Sequence, residues 1–209
     1  MDKVIKFFIE VGKLKRIPRQ GWVIREVKDP ESIADHAFRG AIMAWILAEK
    51  RNEKLDLEKL LKMALIHDLC EVYAGDTTPY DSILPKDKKA RRELLKTWPR
   101  FSEKEKKALA DKKFKKEKAG LEKLIKDLPS KLKQEIMSLW LDYERGVSRE
   151  GRFFRRADRI ENFLQAEEYG DPVDPRPYWV QADELHDDPV LLEFMEQIDK
   201  EFYNGKKKK

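Results

Sequence analysis

Wherever this chain shows a strong apolar periodicity, the period is that of a helix. Val4, Phe7, Phe8 and Val11 fall at i, i+3, i+4 and i+7, the stripe of a core-facing helix. Leu57, Leu60, Leu61, Ala64 and Leu65 repeat the pattern. So do Leu132, Ile136, Leu139, Trp140 and Tyr143, and again Leu191, Met195, Ile198 and Phe202. No run alternates apolar and polar residues over the length of a strand, and no internal repeat is visible. The expected fold is all-α. With 209 residues, 41% of them apolar, a single core is large enough to hold the chain together, and a single-domain helical bundle over residues 1–205 is expected.

Punctuation residues divide this pattern into elements. Asp29-Pro30 supplies an N-cap and a proline for the first helical position, so a helix is expected from there to about Lys50. Asp56 caps the next, which is expected to run to about Tyr73 before Gly75 and Pro79 open a loop. Ser102 and Glu105 have capping-box spacing. Ser130 opens a helix that stops near Gly146, residues 150–169 form another, and Gly170 to Pro177 reads as a loop. Asp188-Pro189 repeats the Asp-Pro start before the last helix.

The formal net charge of +5 is unevenly spread. Residues 86–133 carry 19 Lys and Arg against 8 Asp and Glu, and Lys206 to Lys209 form a basic tail, which leaves the remaining 157 residues at −10. Residues 86–129 read as a Lys-rich helical insertion whose charge run is a solvated face. An acidic remainder suits a metal site better than a groove for a phosphate backbone. The single cysteine, Cys70, excludes an intrachain disulfide and reads as a buried core thiol. The N-terminus leads into an amphipathic helix, and the longest uncharged stretch, Ala41 to Ala48, falls far short of the roughly 20 residues of a membrane span. A cytoplasmic protein that does not enter a membrane is expected.

On a helical wheel the Leu57 stripe runs directly into ionisable residues: Asp68 lies within it, and His67 and Glu71 flank it in one arc of about 100°. Buried carboxylates need a counter-charge. A divalent cation supplies one. The plainer alternative is a salt-bridged helix end with a satisfied core histidine. Two further features favour the metal. His36 shares an inward strip with Gly40, Met43 and Leu47, where the glycine points to the close approach of a neighbouring helix. Asp158 lies beside Phe154, Ala157 and Leu164, with Glu161 one turn on. His186, in Leu-His-Asp-Asp-Pro, reads as exposed and outside the set.

The pattern His36, His67-Asp68, Asp158 resembles that of the HD-domain metal-dependent phosphohydrolases. The stretches Leu14-Lys15-Arg16-Ile17-Pro18-Arg19-Gln20-Gly21-Trp22, Glu31-Ser32-Ile33-Ala34-Asp35-His36, Ala64-Leu65-Ile66-His67-Asp68-Leu69-Cys70-Glu71, Gly75-Asp76-Thr77-Thr78-Pro79 and Asp158-Arg159-Ile160-Glu161 look like those of its 5′-deoxynucleotidase group. The resemblance covers roughly residues 1–80 and 130–170. It implies an HD-type helical bundle that forms a homodimer. It further implies one divalent ion of the Mn, Co or Fe class on His36, His67, Asp68 and Asp158, with Glu71 and Asp76 as catalytic acids and Arg19 and Trp22 as substrate-binding residues.

The implied function is hydrolysis of 2′-deoxyribonucleoside 5′-monophosphates, with a small-molecule nucleotide as partner. Two alternatives stand beside it. One is an HD-type hydrolase of a triphosphate, a cyclic phosphodiester or guanosine tetraphosphate. The other is a helical nucleic-acid-binding protein that uses the basic segment. The second is disfavoured because that segment carries few aromatics for base stacking, mainly Trp98, Phe101 and Phe114, and interleaves its lysines with acids.

Overall fold

The computed structural model describes residues 2–97, 99–171, 173–175, 178 and 188–204. Trp98, His186 and the basic tail lie outside these residues, as does part of the Gly170 to Pro177 stretch. Among the described residues the chain is all-α, with one isolated bridge between Pro18 and Ser32 and no strand. The helices are α1 Asp2–Val11, α2 Gln20–Val23, α3 Ile33–Glu49, α4 Leu57–Ile66, α5 Glu71–Ala74, α6 Lys88–Thr97, α7 Glu103–Ile125, α8 Ser130–Arg145, α9 Arg149–Tyr169 and α10 Pro189–Asp199. The chain divides into two compact units: Met1–Asp35 with His67–Ser138, and His36–Ile66 with Leu139–Lys209.

Several starts follow the sequence signals. Asp56 accepts from Lys59 N at 3.0 Å, Ser102 and Glu105 form a reciprocal capping box, and Asp188 caps a helix with Pro at its first position. Two boundaries differ. α3 begins at Ile33 rather than at Asp29-Pro30. Backbone bonds from Arg19 N to Glu31 O (2.9 Å) and from Ile33 N to Ile17 O (3.0 Å) pair the preceding residues with the connector. The cap is then made by Ser32, whose Oγ accepts from Asp35 N while the Asp35 carboxylate accepts from Ser32 N. The helix expected from Asp56 to Tyr73 is two helices. α4 ends at Ile66, a turn covers His67 to Cys70, and α5 follows. The wheel therefore does not carry through this turn.

In the second unit, α3, α4, α9 and α10 share one core. Ala44, Leu47, Leu60, Met63 and Ala64 meet Phe154, Ala157, Ile160, Leu191 and Met195, each large side chain contributing about 1.5–3 kcal/mol through burial. In the first unit α7 packs on α5 and α1. Leu121, Leu124 and Ile125 of α7 are buried, as are Leu69, Cys70 and Ala74 beside it, so the Lys-rich segment is not solvated throughout. The α1 stripe is only partly used, since Phe8 stays 64% exposed.

Candidate active site

The first unit gathers five of the eight sequence-predicted site residues around the His67 to Cys70 turn. Arg19 is the N-cap residue of α2, and its Nη1 donates to Asp68 Oδ2 at 3.0 Å. The next residue's N–H, Gln20 N, donates to Asp76 Oδ2 at 2.7 Å. Asp76 thus satisfies a backbone donor at the start of α2 and fixes the residue beside Arg19. His67 is buried, with Nε2 3.1 Å from Asp68 Oδ2. Glu71 opens α5 and is 1% exposed. Burial, reinforced by the charges of Asp68 and Asp76, pushes its carboxyl well above the usual carboxylate range, while Arg19 and Lys113 pull the other way. Its Oε2 has no hydrogen-bond partner among the described residues.

Trp22, expected at the substrate, is 2% exposed and donates through Nε1 to Glu31 at 2.8 Å. Cys70 is buried in the same unit, where desolvation pushes its thiol well above the ordinary value, as a core thiol requires.

The second unit holds the remaining pair. His36 is fully buried on α3. Its Nδ1 lies 2.5 Å from Glu161 Oε2 and its Nε2 lies 2.9 Å from Asp158 Oδ1. Asp158 also accepts from the Tyr143 hydroxyl at 3.0 Å. Arg39, one turn after His36, donates to Glu161 (2.8 Å), Gln165 (2.6 Å) and Glu168 (2.5 Å). These partners were not singled out as site residues. Arg39 had a signal in its position one turn from His36, whereas pairing of Tyr143 with Asp158 is a long-range outcome that no local spacing announces.

Gly40 does not mark a close helix contact. A Cβ there meets only the Phe154 ring at 3.9 Å.

The donor chemistry suits a metal. A carboxylate at Nδ1 accepts that nitrogen's proton and so leaves Nε2 with its lone pair facing Asp158, the arrangement that orients metal-binding imidazoles. His36 with Asp158 in one unit, and His67 with Asp68 in the other, each set an imidazole Nε2 about one hydrogen-bond length from a carboxylate oxygen. Two such groups attract only with a proton or a cation between them.

The HD domain family model matches residues 11–187. The chain belongs to the HD-domain family. Among relatives of this HD domain, 5′-deoxynucleotidase HDDC2 of Xenopus laevis is 36% identical over 174 residues, 83% of this chain and 72% of the relative. The Danio rerio protein of the same name is 31% identical over 205 residues, 96% of this chain and 88% of its own. A conserved hypothetical protein from Pyrococcus furiosus superposes with a TM-score of 0.66 at 28% identity, covering 94% of this chain and 99% of that one.

Proposed function

We infer that this HD domain is a metal-dependent 5′-deoxynucleotidase, which hydrolyses 2′-deoxyribonucleoside 5′-monophosphates to deoxynucleoside and phosphate. The observation that carries the reading is the imidazole–carboxylate pair present in each unit, together with the buried Glu71. The relatives' names supply the substrate class. His36, His67, Asp68 and Asp158 would hold one divalent ion, and two nitrogens with two oxygens fit the Mn, Co or Fe class. When bound, such an ion polarises a phosphoryl oxygen and lowers the pKa of water.

The chain's own residues do the rest. Arg19 presents a planar fork to the phosphate. Asp76 keeps Arg19 in place through the Gln20 N–H. Glu71, favoured in its protonated form by burial, supplies a proton to the leaving 5′-oxygen. Selection for a deoxyribose requires a close wall at C2′, where a ribose hydroxyl would find no partner. Trp22 contributes to substrate binding by holding Glu31.

The enzyme works in the cytoplasm, where its one thiol stays reduced. Among the described residues no helix is long and apolar enough to cross a membrane. It acts as a homodimer. Support for this comes from α3, where Phe38, Ile42 and Trp45 are exposed at four- and three-residue spacing, a seam that can pack on its own copy.

The test is phosphate release from a panel of deoxy- and ribonucleoside 5′-monophosphates with Mn²⁺, Co²⁺ or chelator. Deoxynucleotides should be cleaved best, and only with metal. Equal kcat/KM for ribo- and deoxynucleotides would defeat the specificity, and activity in chelator would defeat the metal dependence.

A further inference from the structure

Helix α7 carries nine lysines, and the ion pairs they form differ in the burial of the acid. Lys106 and Lys118 pair with Glu103 and Glu122, which are themselves more than half exposed. Lys113 pairs instead with a buried acid: its Nζ lies 3.3 Å from Oε1 of Glu117, whose side chain is 5% exposed. The charges of Glu117, Glu71, Asp68 and Asp76 reach Lys113 and hold its ammonium above the ordinary lysine range.

Helix register explains how a surface lysine comes to lie on the face of α7 that packs on α5. Residues 113, 117, 120, 121 and 124 share one face of α7. Gly120 on that face rests so closely on α5 that a Cβ would lie 2.7 Å from the Cys70 carbonyl oxygen. α5 begins at Glu71. The contact at Gly120 therefore fixes which side of α7 meets the acids, and Lys113 stands two turns further along that side.

We propose that Lys113 is a second phosphate-binding cation of the candidate active site, held by Glu117 in the free enzyme and transferred to the nucleotide's phosphate on binding. This rests on the phosphomonoesterase reading above. A phosphate monoester brings roughly two negative charges near neutral pH to a unit already crowded with Asp68, Glu71, Asp76 and Glu117. Arg19, whose charge also reaches Glu71, is engaged by Asp68 at 3.0 Å and its side chain is 14% exposed. The Lys113 side chain is 49% exposed, open to an arriving ligand. An ammonium on a flexible four-carbon stem can move from a carboxylate to a phosphate, as a rigid guanidinium fork does less readily.

The experiment compares the full-length metal-loaded wild type with Lys113→Gln, Lys113→Arg, Glu117→Gln and, as control, Lys106→Gln. The readouts are KM and kcat for a deoxynucleoside 5′-monophosphate, the inhibition constant of inorganic phosphate, and metal content. Lys113→Gln should raise both KM and the phosphate constant about tenfold, the loss of one charge-assisted contact, with metal content unchanged. Lys113→Arg should restore most of the loss, and Lys106→Gln should change nothing. Glu117→Gln, which removes the competing acid, should tighten phosphate binding, the opposite of what damage to packing produces. Wild-type constants in Lys113→Gln, or weaker phosphate binding in Glu117→Gln, would overturn the proposal. Should the wild type cleave no deoxynucleotide, the function falls first. Calorimetric titration of the same proteins with inorganic phosphate then decides the role of Lys113 separately.

Discussion

In the second unit the buried carboxylate Glu161 is surrounded: His36 Nδ1 lies 2.5 Å from one oxygen, and Arg39 donates to the other at 2.8 Å. In the first unit the equally buried Glu71 keeps one oxygen without a hydrogen-bond partner among the described residues, and burial with two neighbouring acids drives its carboxyl upward. The difference is between a carboxylate held on both oxygens and a carboxyl left with one oxygen unpartnered. A satisfied network rigidifies what it contains. A carboxyl whose pKa is pushed upward suits the role of a general acid. On the proposed function, the second unit would prepare a ligand and the first the proton transfer.

The largest effect should come from removing the buried Glu71 carboxyl. Glu71→Gln is expected to lower kcat by about 10²- to 10⁴-fold while the protein keeps its metal and its melting temperature. Turnover within a few-fold of wild type would place Glu71 among the orienting groups and erase the contrast between the units.

Two glycines sharpen the comparison through stability. In the first unit Gly120→Ala would drive a Cβ to 2.7 Å from the Cys70 carbonyl oxygen and 3.2 Å from Ala74 N, so a loss of about 1–3 kcal/mol is expected. In the second unit Gly40→Ala meets only the Phe154 ring at 3.9 Å and should stabilise by about 0.4–1 kcal/mol, through helix propensity and a less flexible unfolded chain. Thermal unfolding of the two variants gives the signs directly. Equal shifts would show that the close contact at Gly120 relaxes freely.

The smallest expected effect is a pH dependence within the second unit. Burial raises the pKa of Asp142 and Glu150. Hydrogen bonds from Lys59 and Ser148 to Asp142, and from the Asp56 N–H to Glu150, together with the Lys59 charge, bring both below their ordinary values of 3.8 and 4.5. Groups lowered in the folded state add stability that is complete above the ordinary values and is lost as pH falls through the folded ones. The melting-temperature difference between wild type and Lys59→Met should therefore shrink from about pH 6 to about pH 3. A constant difference would show that Lys59 acts through packing alone.

What the sequence revealed depended on how local the signal was. Asp56, the Ser102 and Glu105 pair, and Asp188-Pro189 each act within one helical turn, and all three caps form as their spacing predicts. The inward placement of His36 with Met43 and Leu47 was likewise legible from period alone. The break at His67 was not, because an apolar repeat continues smoothly in sequence through a point where the backbone turns; Leu65, assigned to the stripe, is 56% exposed. The start of α3 was displaced by pairing with residues 17–19, which is non-local. Lys113 looked like its neighbours, since a charge run does not disclose which of its members lies against a buried acid.

The division between holding and reacting is tested most directly by rate against metal concentration for wild type, Glu161→Gln and Glu71→Gln, with a deoxynucleoside 5′-monophosphate as substrate. Loss of the carboxylate that orients a ligand imidazole typically costs 10- to 100-fold in metal affinity. The curve for Glu161→Gln should accordingly shift to higher metal by about that factor and recover most of the wild-type rate at saturation. The curve for Glu71→Gln should saturate at the wild-type metal concentration, at a rate lower by orders of magnitude. A Glu71→Gln enzyme rescued by excess metal, or a Glu161→Gln enzyme that saturates normally and stays inactive, would contradict the account.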